Sequence, residues 1–88
     1  MSDLVLSSIS TLLDAFRGEA QDALGACHLI SVDYENVKPD CKGERRVEMT
    51  RLKVSAQSCF LQACLLVDDD IVFKGRAIFK ANSAPQER

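Results

Sequence analysis

A chain of 88 residues with a net charge of −2 has room for one domain and not for two. That charge gives no general attraction to nucleic acid or to anionic membranes, and the longest unbroken apolar run, Ala63 to Val67, is far too short to span a bilayer. The four cysteines, Cys27, Cys41, Cys59 and Cys64, and the one histidine, His28, show no CxxC and no zinc-ligand spacing, so neither a metal nor another cofactor is expected.

The cysteines read instead as free thiols acting as small hydrophobes. Met1-Ser2-Asp3 is acidic, and no basic segment leads an apolar run. The expectation is therefore a cytoplasmic protein with reduced thiols. A single helix on a small sheet buries little surface, so a partner subunit is expected to supply the missing core.

The first element is a helix. Ile9, Leu12, Leu13, Phe16, Ala20, Ala23 and Leu24 follow the i, i+3, i+4, i+7 pattern of an amphipathic helix. Ser7 or Ser8 is placed to cap its start and Gly25 to end it. Gly18 falls inside and weakens it by about 1 kcal/mol relative to alanine.

Strands follow. Leu29 to Glu35 alternates, with Ile30, Val32 and Tyr34 on one face and Ser31, Asp33 and Glu35 on the other. Asn36 to Gly43 holds Pro39, Asp40 and Gly43 and reads as a turn or loop. Glu44 to Val54 is the least apolar strand and suits an edge. Ser58 to Val67 is the most buried: Cys59, Leu61, Ala63, Leu65 and Val67 make one wholly apolar face. Phe60, Cys64 and Leu66 make the other largely apolar, which calls for cover on both sides or an interface. Asp68-Asp69-Asp70 is a tight turn, and Ile71 to Ala81 returns with Ile71, Phe73, Ala77 and Phe79 on one side and Lys74, Arg76 and Lys80 on the other. The expected fold class is α+β, one long helix packed on an antiparallel sheet of about four strands, in a single domain over residues 1–82 with 83–88 as a frayed tail.

Chemistry is sparse. No GxGxxG, P-loop, HExxH or GxSxG occurs. The phenylalanines sit on apolar stripes and read as core rather than as stacking platforms for RNA bases. His28 reads as a hydrogen-bonded core or rim residue. Basic residues gather as Lys42, Arg45, Arg46, Arg51 and Lys53, then Lys74, Arg76 and Lys80. They are either charges that guard strand edges or a patch for an anionic ligand, and the acids among them favour the first reading.

Four segments taken together resemble a known family. Ser10-Thr11-Leu12-Leu13-Asp14-Ala15-Phe16 is similar to the "TLAD" segment on the central helix of hotdog-fold thioesterases of the phenylacetate-degradation and 4-hydroxybenzoyl-CoA type. Leu29-Ile30-Ser31-Val32-Asp33-Tyr34 resembles the strand that follows it. Val37 to Gly43 resembles the family's Pro-containing turn, and Leu65 to Ala77 its hairpin. The match runs from Ile9 to Lys80.

The resemblance implies a helix wrapped by a curved antiparallel sheet, here in a truncated hotdog-like form. It implies at least a homodimer, with acyl-CoA sites at the subunit interface. Asp14 falls where many members carry the catalytic carboxylate, as general base or nucleophile toward a thioester. Ser10 and Gln21 would orient substrate or water, and Lys42, Arg45, Arg46 and Lys74 would meet the CoA phosphates. Two departures count against turnover. Val5, Leu6 and Ser7 stand where members have His-Gly-Gly, and the chain starts almost at the central helix, without the family's leading strands, so a sheet edge is expected to be open. Three readings stay open: a thioester hydrolase, a non-catalytic dimeric module that binds an acyl or other apolar ligand or a protein, and an unrelated helix-on-sheet fold such as a cystatin-like one.

Overall fold

A computed structural model describes the chain over residues 2–38 and 43–82. It is α+β: one helix, α1 (Ser2–Leu24), then four strands, β1 (Cys27–Asn36), β2 (Arg45–Val54), β3 (Ser58–Val67) and β4 (Asp70–Ala81). They form one antiparallel sheet in the order β1-β4-β3-β2, so the β3–β4 hairpin is central and β1 and β2 are its edges. No described helix is long and apolar enough to cross a membrane.

The helix starts earlier than Ser7 or Ser8. Serine is only mildly unfavourable inside a helix, and both are traversed. Ser8 does not cap; it is buried at 8 % exposure against the sheet. Ser8, Leu12, Phe16 and Ala20 are spaced by four and form the buried row of α1. The far end does stop at Gly25. Its φ is 75°, and its N–H donates to the Gln21 carbonyl at 2.8 Å, the bond that closes a helix ending in a left-handed residue.

That row lies on the inner face of the central strands. Leu12, Phe16 and Ala20 pack with Cys59, Leu61, Ala63, Leu65 and Val67 of β3 and with Phe73, Ala77 and Phe79 of β4. The apolar face expected for β3 is thus buried along its whole length. Its other face has no second layer among the described residues. Phe60 there is 37 % exposed although Leu66 is buried, and β1 and β4 add cross-strand charge pairs on that side, Asp33 with Arg76 and Glu35 with Lys74.

Three irregularities shift which residues share a face. In β1 the register passes from Leu29–Phe79 to Ser31–Ile78, leaving Ile30 as an extra residue. Ile30 is therefore 51 % exposed and does not share the inner face with Val32 and Tyr34; Leu29 takes that place. In β2 the extra residue is Leu52, 50 % exposed. In β4 the pairs Leu65–Phe73 and Leu66–Ile71 bracket Val72. Val72 is buried while Ile71 is turned to the other side and is 40 % exposed, so Ile71 does not join Phe73, Ala77 and Phe79. A bulge sets two residues against one and reverses alternation beyond it.

The turn between β3 and β4 uses Asp68 and Asp69, at φ 50° and 74°. Two successive positive φ values match the right-handed twist of a hairpin, and aspartate tolerates them better than most side chains. Asp70 already pairs with Val67 as the first residue of β4.

The edges are tied to the helix separately. On β2, Arg51 Nε donates to Glu19 Oε2 at 2.5 Å. On β1, the Tyr34 ring stacks on Phe73 with centroids 5.7 Å apart, and its hydroxyl donates to the Ile9 carbonyl at 3.4 Å. Gly75, opposite Tyr34 in the register, makes this fit: a Cβ there would lie 2.8 Å from Tyr34 Cδ1 and 3.0 Å from the Asp33 carbonyl oxygen.

Gly75→Ala is expected to destabilise the fold by about 1–3 kcal/mol through overpacking, measured as a lower urea midpoint. Burial raises the Tyr34 hydroxyl above its ordinary value of 10.0. The folded chain then holds this proton where the unfolded chain has lost it. Its contribution to stability is complete below the unfolded value and fades as pH climbs through the folded one. Tyr34 is the one tyrosine, so phenolate absorbance reads it alone. Its midpoint is expected above 10.0 in buffer and near 10.0 in denaturant.

Candidate functional site

Opposite its buried row, α1 presents a polar stripe. Ser10, Asp14, Arg17 and Gln21 are spaced by four, three and four, which keeps them in line along a helix. All four are exposed. The buried row fixes this orientation, since Leu12 and Phe16 at 0 % exposure turn Asp14 away from the sheet. No hydrogen bond or ion pair holds the Asp14 side chain among the described residues.

The C-terminal half of the stripe borders a groove of about 370 Å³. Leu13, Arg17 and Gln21 line it from α1, Cys27, His28 and Leu29 from the start of β1, and Phe79 from β4. Leu29 and Phe79 are cross-strand partners, so the bulge at Ile30 is what brings Leu29 under the helix. His28 Nδ1 lies 2.7 Å from Asn82 Oδ1, and the Asn82 N–H donates to the Ala26 carbonyl at 2.9 Å. These two bonds pin the far end of β4 to the turn after α1. Ser10 and Asp14 continue the stripe beyond the groove and do not line it.

The cations expected to meet phosphates are dispersed. Arg45 and Arg46 come together at the β3–β4 turn, in a cleft of about 340 Å³ that they share with Glu44, Asp68 and Asp69. Arg46 is engaged there: Nη1 donates to Asp69 Oδ1 at 2.8 Å and Nη2 to Glu48 Oε2 at 3.0 Å. Those two carboxylates raise the guanidinium above its ordinary value. Lys74 lies elsewhere, on the outward face of the sheet, with Nζ 3.7 Å from Glu35 Oε1. It borders a third cleft with Asp33, Glu35, Gln62 and Arg76. Lys42 lies outside the described residues.

Cys59 is buried in the core, and that burial pushes its thiol up. Cys27 and Cys64 are half-buried free thiols. Cys41 falls outside the described residues. Among the described residues no cluster of His, Cys, Asp and Glu could hold a metal ion.

Of the residues singled out from sequence, Gln21 is the one that lines the groove beside α1. Sequence reasoning passed over Arg17, although its spacing of three from Asp14 and four from Gln21 was the available signal. It set His28 among core or rim residues, and the rim is where it sits. The floor made by Leu29 and Phe79 had no sequence signal, because strict alternation puts Leu29 on the other face. No protein-family model matches the chain, and no curated protein matches it in sequence.

Proposed function

We propose that the protein is a hotdog-like acyl-thioester hydrolase that works as a homodimer. The observation that carries this reading is the setting of Asp14. The segment resembling the thioesterase helix lies on a single long helix whose Leu12 and Phe16 are locked in the core. Asp14 is thereby held outward on a rigid element, in line with Ser10 and with Gln21, which lines the groove that Asp14 itself stands outside. In this reading Asp14 takes a proton from water as it attacks the thioester carbonyl, or attacks that carbonyl itself. The carbon–sulfur bond breaks and the thiolate leaves and is protonated; the acyl group departs as a carboxylic acid directly when water attacks, or, when Asp14 attacks, after water hydrolyses the mixed anhydride formed on Asp14. Ser10 and Gln21 position water or the acyl group. Arg45 and Arg46 are the neighbouring cations for a CoA phosphate, which would displace Asp69 and Glu48 from Arg46.

The sheet edges favour one way of pairing. The β2 edge carries Arg45, Arg46, Glu48, Arg51 and Lys53, charges that discourage strand addition. The first half of β1, Cys27 to Val32, has no Asp, Glu, Lys or Arg and exposes Leu29 and Ile30. A second copy would add there, next to the groove.

A second reading, a non-catalytic module that binds an acyl or other apolar ligand, draws support from two observations. Val5, Leu6 and Ser7 are helical, where the resembled family has glycines whose backbone approaches the thioester. Asp14 also has no partner to orient it among the described residues.

The test is thiol release from short, long and aromatic acyl-CoAs. Wild type is expected to turn over at least one class, and Asp14→Asn to lose about 10²–10⁴-fold, the usual share of a general base. No turnover across the panel by a folded dimer would replace hydrolysis with the binding-module reading. Sedimentation is expected to show a dimer at micromolar concentration and a shift to monomer for Ile30→Lys. A stable wild-type monomer would remove the two-subunit site.

A further inference from the structure

The groove beside α1 combines an apolar floor with a rim of one charge sign. Leu13, Leu29 and Phe79 form the floor, Arg17, Gln21 and His28 carry the polar groups, and among the described residues no carboxylate lines it. Four other cations are matched by carboxylates: Arg46 by Asp69 and Glu48, Arg51 by Glu19, Lys38 by Asp70, Lys74 by Glu35. Arg17 has no such carboxylate among the described residues. It is the rim residue with a full charge to offer.

The neighbours of Arg17 suit an oxyanion. Asn82 Oδ1 can only accept, so His28 Nδ1 carries the hydrogen in their 2.7 Å bond, and the ring is a fixed wall of the rim rather than a donor to the ligand. Gln21 offers an amide N–H pair. Arg17 lies nearly two turns before the helix end at Leu24, and the negative end of a helix dipole fades within the last turn. A volume of about 370 Å³ sits at the small end of ligand pockets.

We propose that this groove binds a free medium-chain carboxylate, with its alkyl chain on Leu13, Leu29 and Phe79 and its head group on the Arg17 guanidinium. Gln21 is the neutral donor beside that head group. The inference rests on the acyl-ligand part of the reading above and not on hydrolysis. A guanidinium meets a carboxylate through paired N–H donors, a geometry that neither an amine nor an alcohol can return.

The experiment is a titration of the full chain with octanoate, octanol and octylamine, followed by amide NMR. Octanoate is expected to give saturable shifts at Leu13, Arg17, Cys27 to Leu29 and Phe79, with octanol weaker and octylamine weakest. Arg17→Gln, a change at an exposed position, is expected to weaken octanoate by about tenfold, the loss of a charge-assisted pair, and to leave octanol unchanged. Arg17→Lys recovers part of the affinity. The proposal is overturned if octylamine binds as well as octanoate, if Arg17→Gln binds octanoate like wild type, or if no saturable shift occurs. It is overturned equally if the shifts at Leu13, Arg17 and Phe79, which lie off the β1 edge, follow protein concentration instead, since a second copy then fills the groove. Asp14→Asn is expected to bind octanoate as wild type does, so failure of hydrolysis and failure of this site are separable.

Discussion

Everything in this fold hangs on the contact between one helical row and two strands. Ser8, Leu12, Phe16 and Ala20 fall on a spacing of four, and the face they meet is built by the β3–β4 hairpin. Phe16, Leu12 and Leu61 are the largest side chains fully shielded from water, and burying each contributes about 1.5–3 kcal/mol. The edges depend on this contact rather than adding to it equally. β2 is joined to the helix by Arg51 and Glu19, and β1 by Tyr34 and the groove residues. The same contact also sets the function, because burying one row of α1 decides that Ser10, Asp14, Arg17 and Gln21 point the other way.

Much of the architecture was legible because its causes are local. The spacing of Leu12, Phe16 and Ala20 marks a helix without reference to anything else. Cys59, Leu61, Ala63, Leu65 and Val67 are apolar without a break, so the buried face of β3 could be named in advance, and three aspartates in a row mark the turn that follows. The errors fall where the cause is not local. Ile30, Leu52 and Val72 are extra residues only with respect to a partner strand, and no property of Ile30 distinguishes it from an inward-facing isoleucine. The long N-terminal extension of α1 was missed for a related reason: serine is read as a stop when a cap is wanted, yet it is an acceptable passenger when the row behind it packs.

The site was legible in part. A resemblance placed Asp14 on the helix, and helical spacing placed Gln21 in line with it. The basic residues were harder, since their meaning depends on acids brought from far along the chain. Asp69 reaches Arg46 across 23 positions, which turns a prospective anion patch into a largely neutralised corner. Arg17 shows the converse. It stands apart from the basic clusters in sequence, and it acquires significance because folding surrounds it with leucine, phenylalanine and histidine instead of carboxylates.

The strand order has a consequence for the protein while it is being made. β3 and β4 are joined by two residues and can zip together as soon as both exist. β1 is different: its partner is the last strand, so Cys27 waits for Ala81 and His28 for Lys80. On a chain synthesised from the N-terminus, the stretch from Cys27 to Val32 leaves the ribosome with its backbone unsatisfied and its Leu29 and Ile30 bare. It stays so through the synthesis of every other strand. The segment best suited to join a second molecule is therefore also the one exposed longest to every other nascent chain nearby, because the Phe79 floor of the groove and the Phe73 ring against Tyr34 arrive only with β4.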